Sequence, residues 1–134
     1  MNDLEKRKQT SKELFALGKK KLESSKTCAE NMECRDCVEL AYYAVLYGIK
    51  ALFSIDFEAP GSQSQLFELF EEIYVKSGIF DSEAWKRIEE IRCLRDGYGC
   101  GEDSEAVDVN KMVETAEYIL LLCNMNLNKK GVEV

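Results

Sequence analysis

Histidine is absent from the 134 residues of this chain. Its absence removes the side chain that most often acts as a general base near neutral pH and as a metal ligand. It also excludes the Cys–His pair through which many enzymes activate a cysteine nucleophile. The sequence therefore argues against the commonest hydrolytic and metal-dependent mechanisms.

Proline is nearly absent as well, because Pro60 is the single one in the chain. The glycines are concentrated between and after segments with helical periodicity. This composition favours long uninterrupted helices over a β architecture. The length predicts one domain, large enough to bury a substantial core.

Long apolar runs and an excess of positive charge are also missing. No apolar run approaches membrane-spanning length, and the N-terminus MNDLEKRKQT is too polar for a secretory signal. We therefore expect a cytoplasmic protein without a membrane segment. The net charge of −7 argues against broad electrostatic binding of nucleic acid, although it leaves room for a local basic cleft.

The clearest pattern that the chain does contain runs from Cys34 to Phe53, CRDCVELAYYAVLYGIKALF. Its apolar residues recur at steps of three and one, which predicts a helix with one broad buried face. Ala41, Ala44 and Gly48 within that face allow the backbone of another helix to approach closely. We expect this segment to be the central helix of a bundle.

Similar periodicity predicts further helices at about residues 3–25, 64–76, 82–95 and 108–126, with a polar loop at 24–31. Short connections between successive helices favour antiparallel neighbours. The predicted fold class is all-α, an up-and-down antiparallel bundle of four to five helices. It forms a single domain over residues 3–127, followed by a flexible tail at 128–134.

The segment EEIRCLRDGYG, residues 89–99, is the best candidate for a functional site. Arg92 lies four residues before Asp96 and three after Glu89, so helical spacing places these side chains on one face, where they can pair. Tyr98 follows where glycines end the helix. An arginine, a carboxylate and a phenol are thus expected to converge beside a loop.

Two interpretations of this convergence remain open. In the functional one, Arg92 or Arg95 binds a phosphate with its planar guanidinium, and Tyr98 donates a hydrogen bond or stacks on a base. In the structural one, the charged residues form an ordinary helix salt bridge and Tyr98 anchors the loop. Spacing alone favours the structural interpretation.

A row of polar aromatic residues accompanies the central helix. Tyr43 and Tyr47 lie four residues apart, and Lys50 follows three further on. This row could line a nucleotide- or RNA-binding cleft or a dimer contact. An aromatic flank of the core explains it equally well.

Six cysteines offer a second chemistry. The Cys34-x-x-Cys37 spacing fits half a zinc site or a redox pair. Without histidine, a complete zinc site would need two more ligands from Cys28, Cys93, Cys100 or Cys123. Since Cys37 and Cys123 fall in apolar helical stripes, buried thiols or a disulfide are favoured. We predict no metal and no cofactor.

Several segments resemble the HEPN superfamily. ECRDCVELAYYAVLYGIKALF is similar to its central helix, which carries a Y-R-D-A-V-x-x-A-Y-Y-A-x-x-x-A-x-K-A-L-L run. LFEEIYVKSGIFD resembles the L-F-x-x-x-F-V-K-T-G-x-L-D stretch of small HEPN proteins of the UPF0332 type. IRCLRDGYG resembles the L-R-x-x-A-D-Y motif of that type, and VDVNKMVETAEYIL its last helix. The resemblance runs in order from Cys34 to Leu122.

This resemblance implies a helical bundle, usually a homodimer, often encoded beside a minimal nucleotidyltransferase in a toxin–antitoxin-like pair. Many HEPN domains are metal-independent ribonucleases with an R-x(4–6)-H motif, and others bind nucleotides or partners. Arg92 matches the motif's arginine and Asp96 the aspartate of L-R-x-x-A-D-Y, while Tyr98 is displaced by one residue. The histidine is missing, and carboxylic acids and phenols ordinarily titrate far from neutral pH.

We therefore favour a binding module, a homodimer that acts with a minimal nucleotidyltransferase. In it Arg92, Asp96 and Tyr98 line a cleft that contacts nucleotide or RNA. One alternative is a ribonuclease in which Arg92 binds the scissile phosphate and Asp96 or Tyr98 transfers a proton. The other is a bundle that works through association alone.

Overall fold

The structure is a computed structural model that describes residues 2–56, 61–98 and 108–134. Within these ranges the chain forms no strand and five α-helices: α1 (Asp3–Glu30), α2 (Cys34–Asp56), α3 (Gln63–Phe70), α4 (Ser82–Cys93) and α5 (Val109–Lys129). Two π-helical turns, Glu71–Val75 and Leu94–Tyr98, follow α3 and α4. The predicted all-α bundle is confirmed. The predicted stop at Pro60 and the glycine-rich loop at 99–107 lie outside the described residues.

Side-chain caps fix where four of these helices begin. Asn2, Ser62, Asp81 and Asp108 each accept a hydrogen bond from the backbone N–H three residues further on. Such bonds satisfy amide groups that the first helical turn leaves without a partner. The predicted restart after Gly61 and the starts of α4 and α5 are confirmed.

The central helix is α2, as predicted, and it contributes the largest part of the core. Thirteen of its residues are buried, including Leu46, Ile49, Leu52 and Phe53. By length and composition alone α2 could cross a membrane, but 67% of its apolar window is buried inside the bundle. This burial is that of the core helix of a bundle.

Small residues make the contact between α1 and α2. Ser11, Gly18 and Ser25 recur every seven residues on α1 and are buried. The hydroxyls of Ser11 and Ser25 donate to backbone carbonyls of α2, those of Ala51 and Cys37. A Cβ on Gly18 would lie only 3.1 Å from the carbonyl oxygen of Ala44. The close approach predicted at Ala44 is thus formed with α1, whereas Gly48 faces Leu120 and Cys123 of α5.

The prediction for α1 was wrong in two respects. The helix continues through residues 24–30, which were expected to form a loop, because Ser25 and Ala29 are buried against α2. Leu17, an apolar residue in the second half of the helix, is exposed. Hydrophobicity misled here because small residues share the buried face of α1 with Phe15 and Leu22.

Successive helices are antiparallel in two cases. Residues 31–33 join α1 to α2, and Ser11 and Ser25 meet opposite ends of α2. Helices α4 and α5 are the second antiparallel pair. Asp81, before the start of α4, accepts a hydrogen bond from Tyr118 in the middle of α5, whereas Glu90, near the end of α4, forms an ion pair with Lys111 at the start of α5. Helix α3 differs, since it runs in the same sense as α2.

Two ring contacts define that sense. Tyr42 lies 5.9 Å from Phe67, and Phe53, three turns further along α2, lies 5.7 Å from Tyr74. The first π turn thereby follows α2 towards its C-terminal end. These aromatic contacts attach α3 to the core and place its first turns beside α4.

The end of α5 extends into residues 128–134, the segment predicted to be a flexible tail. The helix continues to Lys129, and Val132 is fully buried with its N–H bonded to the carbonyl of Leu127. Gly131 has a φ of +81°, the left-handed conformation that closes a helix C-terminus. Lys130 reaches the carboxylate of Asp56 and so attaches this end to α2.

Candidate functional site

Two arginines of the α4 region lie over aromatic rings of the neighbouring helices. The Cζ atom of Arg92 is 4.3 Å from the centre of the Phe67 ring on α3. The Cζ atom of Arg95, in the second π turn, is 4.8 Å from the ring of Tyr42 on α2. An arginine held this way gains cation–π attraction and keeps its N–H groups at the ring edge. We call Arg92, Arg95, Phe67, Tyr42 and Tyr43 the arginine–aromatic cluster.

Arg95 is surrounded by partners. It forms ion pairs with Asp96 at 3.4 Å and with Glu39 at 3.7 Å. It also donates a hydrogen bond of 3.2 Å to the hydroxyl of Tyr43. Through these contacts Arg95 connects the end of α4 to the exposed side of α2. Its charge is largely neutralised by the two carboxylates.

Arg92 differs because, among the described residues, it forms neither an ion pair nor a hydrogen bond. The predicted pairing of Arg92 with Glu89 and Asp96 is therefore wrong, and Asp96 pairs with Arg95 instead. The guanidinium turns towards Phe67, a fully buried ring whose face competes well with a solvated carboxylate. Asp96 is 59% exposed, so water already solvates its charge.

Tyr42 forms the buried floor of the cluster. Its hydroxyl donates a short hydrogen bond to the side-chain oxygen of Gln63 at the start of α3. Burial raises the pKa of Tyr42, and the positive charges of Arg95 and Arg92 oppose this rise only in part. The phenol therefore stays protonated at neutral pH and serves as a fixed donor.

The other predicted site residues are placed in different ways. Tyr43 joins the cluster through Arg95. Tyr47 lies one turn further along α2, with its ring centre 6.4 Å from that of Tyr43 and Lys50 above its own ring. Both tyrosines are half-buried and border the open side of α2. The side chain of Tyr98 lies outside the described residues.

Sequence reasoning missed the neighbours that give the two arginines their roles. Phe67, Tyr42 and Glu39 were not predicted as residues of the site. One signal was available, because Glu39 precedes Tyr43 by four residues and therefore shares its face of α2. The contact of Phe67 with Arg92 joins distant parts of the chain, and no local spacing indicates it.

The cysteines form no metal site within the described part of the chain, where no cluster of three or more potential ligands occurs. Cys34 is disulfide-bonded, whereas Cys37 is a free buried thiol, so the Cys34-x-x-Cys37 pair is not itself a disulfide. Cys37 and Cys123 are fully buried in the core, as predicted for small apolar side chains. Burial raises the pKa of both thiols, which makes them inert.

A groove of about 630 Å³ lies between α4 and α5, away from the cluster. Its described lining includes Glu89, Glu90, Cys93 and Leu94 of the candidate segment, but not Arg92, Arg95, Asp96 or the tyrosines of α2. The arginine–aromatic cluster is thus a surface site on the α2–α3–α4 side of the bundle rather than the interior of this groove.

Together these features define an all-α bundle that carries an arginine–aromatic surface site. The family model of the HEPN domain matches residues 11–126, which is most of the chain. The chain therefore belongs to the HEPN family. Searches among curated proteins and among solved structures gave no match. The narrower assignment to the UPF0332 type remains a prediction.

Proposed function

We propose that this HEPN protein is a binding module in which Arg92 binds a phosphate group of a nucleotide or RNA. The observation that supports this most strongly is the state of its guanidinium. Phe67 holds the group in place, yet none of its five N–H donors is bonded to a described residue. A planar guanidinium with free donors binds phosphate through paired, charge-assisted hydrogen bonds.

The neighbouring residues fit supporting roles in this proposal. Arg95 is already bonded to Glu39, Asp96 and Tyr43, so we assign it to positioning rather than to phosphate binding. Tyr43 and Tyr47 offer half-exposed rings on which a base can stack. The phosphate and the base would then bind on adjacent parts of one surface.

The partners belong to the same proposal. We infer a cytoplasmic homodimer in which the Arg92 surfaces of the two copies lie close together, as the family resemblance implies. A minimal nucleotidyltransferase, the neighbour that the family resemblance implies, is the proposed protein partner. Co-expression of the two proteins followed by sedimentation of the purified complex tests this pairing directly.

Binding is tested by titrating a labelled short single-stranded RNA, and separately ATP, into the purified protein while following anisotropy or heat. Loss of a hydrogen-bonded charge predicts an affinity loss of about tenfold or more in Arg92→Ala. Arg87→Ala is the matched control, since Arg87 lies on the same helix and pairs only with exposed Glu83. Absence of binding by the wild type, or equal binding by Arg92→Ala, would reject the proposal.

The ribonuclease alternative is separated by incubating RNA with the protein in the presence of a metal chelator. Metal-free cleavage that disappears in Arg92→Ala would replace the binding interpretation with a catalytic one. Binding without cleavage, sensitive to Arg92 and insensitive to Arg87, supports the binding module.

A further inference from the structure

A row of four aromatic rings on α2 and α3 leads from one cation to another. Neighbouring ring centres along the row lie 5.9, 5.3 and 6.4 Å apart. In order, the rings belong to Phe67, Tyr42, Tyr43 and Tyr47. Arg92 lies over the first ring, and the Nζ atom of Lys50 lies 5.6 Å from the centre of the last. We call these four rings the aromatic row.

Lys50 is held in the same way as Arg92. Among the described residues its ammonium group forms neither an ion pair nor a hydrogen bond, although it carries three donors. Attraction to the ring of Tyr47 keeps the group in place, as Phe67 keeps the guanidinium of Arg92. Each end of the aromatic row therefore carries a positive charge that no described carboxylate neutralises.

The sequence of α2 keeps negative charge away from Lys50. Residues 40–55 contain no acidic side chain, and Lys50 is the one charged residue among them. The acids on either side, Glu39 and Asp56, each form an ion pair with a cation from another part of the bundle. Although the net charge of the chain is −7, an anion can approach Lys50 without meeting an unpaired carboxylate of the same helix.

The order of these groups distinguishes a polynucleotide from a mononucleotide. The surface presents a cation, then aromatic rings, then a second cation. In ATP all phosphates lie on one side of the nucleoside, so they cannot bind at both ends of the row while the base contacts a ring between them. In single-stranded RNA a phosphate, a base and a further phosphate follow in this order. Tyr43 and Tyr47 are half-buried, so part of each ring is open to a base.

We propose that Lys50 is a second phosphate-binding residue and that the ligand is a single-stranded RNA bound along the aromatic row. One phosphate binds Arg92, a phosphate further along the strand binds Lys50, and a base between them stacks on Tyr43 or Tyr47. This proposal rests on the function proposed above, in which Arg92 binds phosphate, and it narrows the ligand from a nucleotide or RNA to RNA.

The proposal is tested by titrating AMP and a labelled short single-stranded RNA into the protein at several salt concentrations. Lys50→Met keeps the apolar stem and removes the charge, so RNA affinity should fall about tenfold while AMP affinity stays unchanged. Loss of one phosphate contact should also lower the slope of log affinity against log salt by about 0.7. Lys129→Met is the matched control, because it makes the same charge change at an exposed position of α5, which contributes no ring to the row.

The results separate this proposal from the previous one. Lys50→Arg should bind RNA like the wild type, because it restores the charge. The role of Lys50 is rejected if Lys50→Met retains wild-type RNA affinity and salt slope, or if it weakens AMP and RNA equally. It is also rejected if the wild type binds RNA no more tightly than AMP. In each of these cases, loss of binding in Arg92→Ala would still support the phosphate-binding role of Arg92, whereas binding insensitive to Arg92 would reject both.

Discussion

Arg95 should contribute mainly to stability and Arg92 mainly to ligand binding, although the two residues lie three apart on one helical segment. We expect Arg95→Ala to destabilise the fold clearly and Arg92→Ala to destabilise it little, while the loss of phosphate binding is larger for Arg92→Ala. The reason is that Arg95 is bonded to three protein groups and Arg92 to none that the structure describes.

The contacts give approximate magnitudes. The two partly exposed ion pairs of Arg95 contribute roughly 0.5 kcal/mol each, and its hydrogen bond to Tyr43 about 1 kcal/mol. Its position over the Tyr42 ring adds about 0.5–1 kcal/mol, so Arg95→Ala should cost about 2–3 kcal/mol in free energy of unfolding. Arg92 loses only its contact with Phe67, about 1 kcal/mol.

Circular dichroism in urea and on heating measures these differences. For a domain of this size, 1 kcal/mol corresponds to roughly 4 °C in Tm, which predicts a decrease of about 10 °C for Arg95→Ala and about 4 °C for Arg92→Ala. Arg87→Ala, which removes one exposed pair with Glu83, serves as the baseline. A larger loss of stability for Arg92→Ala than for Arg95→Ala would show that Arg92 is a structural residue and refute the reasoning.

Two further predictions concern the bundle itself. Gly48→Ala should destabilise it by about 1 kcal/mol, because the new Cβ would lie 2.8 Å from a methyl group of Leu120 and the cost of overpacking exceeds the gain in helix propensity. Urea unfolding measures this loss. Gly61→Ala is the control and should show no comparable loss, because its Cβ meets nothing within 4 Å. Burial opposes the charge of Lys130, but its bonds to Asp56 and Tyr74 outweigh burial and raise its pKa above 10.5. The contribution of Lys130 to the free energy of unfolding is therefore complete below pH 10.5 and disappears as the pH rises through that raised pKa. Unfolding curves of Lys130→Met should lack this loss of stability at alkaline pH.

Helix positions could be predicted because they depend on local chemistry. The periodicity of α2 and the starts of α4 and α5 are local patterns, and the structure contains them close to where they were expected. The extent of α1 could not be predicted this way. Its contact uses Ser11, Gly18 and Ser25, which hydrophobicity ranks as surface residues, and their burial depends on carbonyl groups of α2 that accept their hydroxyls.

The sequence predicted residues that belong to the candidate site, but not which of them form ion pairs with one another. Spacing placed Arg92 and Asp96 on one face, and both do lie near the end of α4. It could not indicate that Phe67, on α3, would attract Arg92 away from Asp96, or that Glu39 of α2 would compete for Arg95. Long-range neighbours therefore decide which arginine is neutralised and which keeps its donors free.

The missing histidine limits what such a site can do. Arginine stays charged over the whole pH range in which proteins fold, and burial keeps the Tyr42 phenol protonated at neutral pH. Arg92, Arg95 and Tyr42 thus supply permanent positive charge, aromatic surface and a fixed hydrogen-bond donor. These are the groups that hold a phosphate and a base, and they include no imidazole, the group that most often serves general acid–base catalysis near neutral pH. This composition supports the proposed binding role of Arg92 over the ribonuclease alternative.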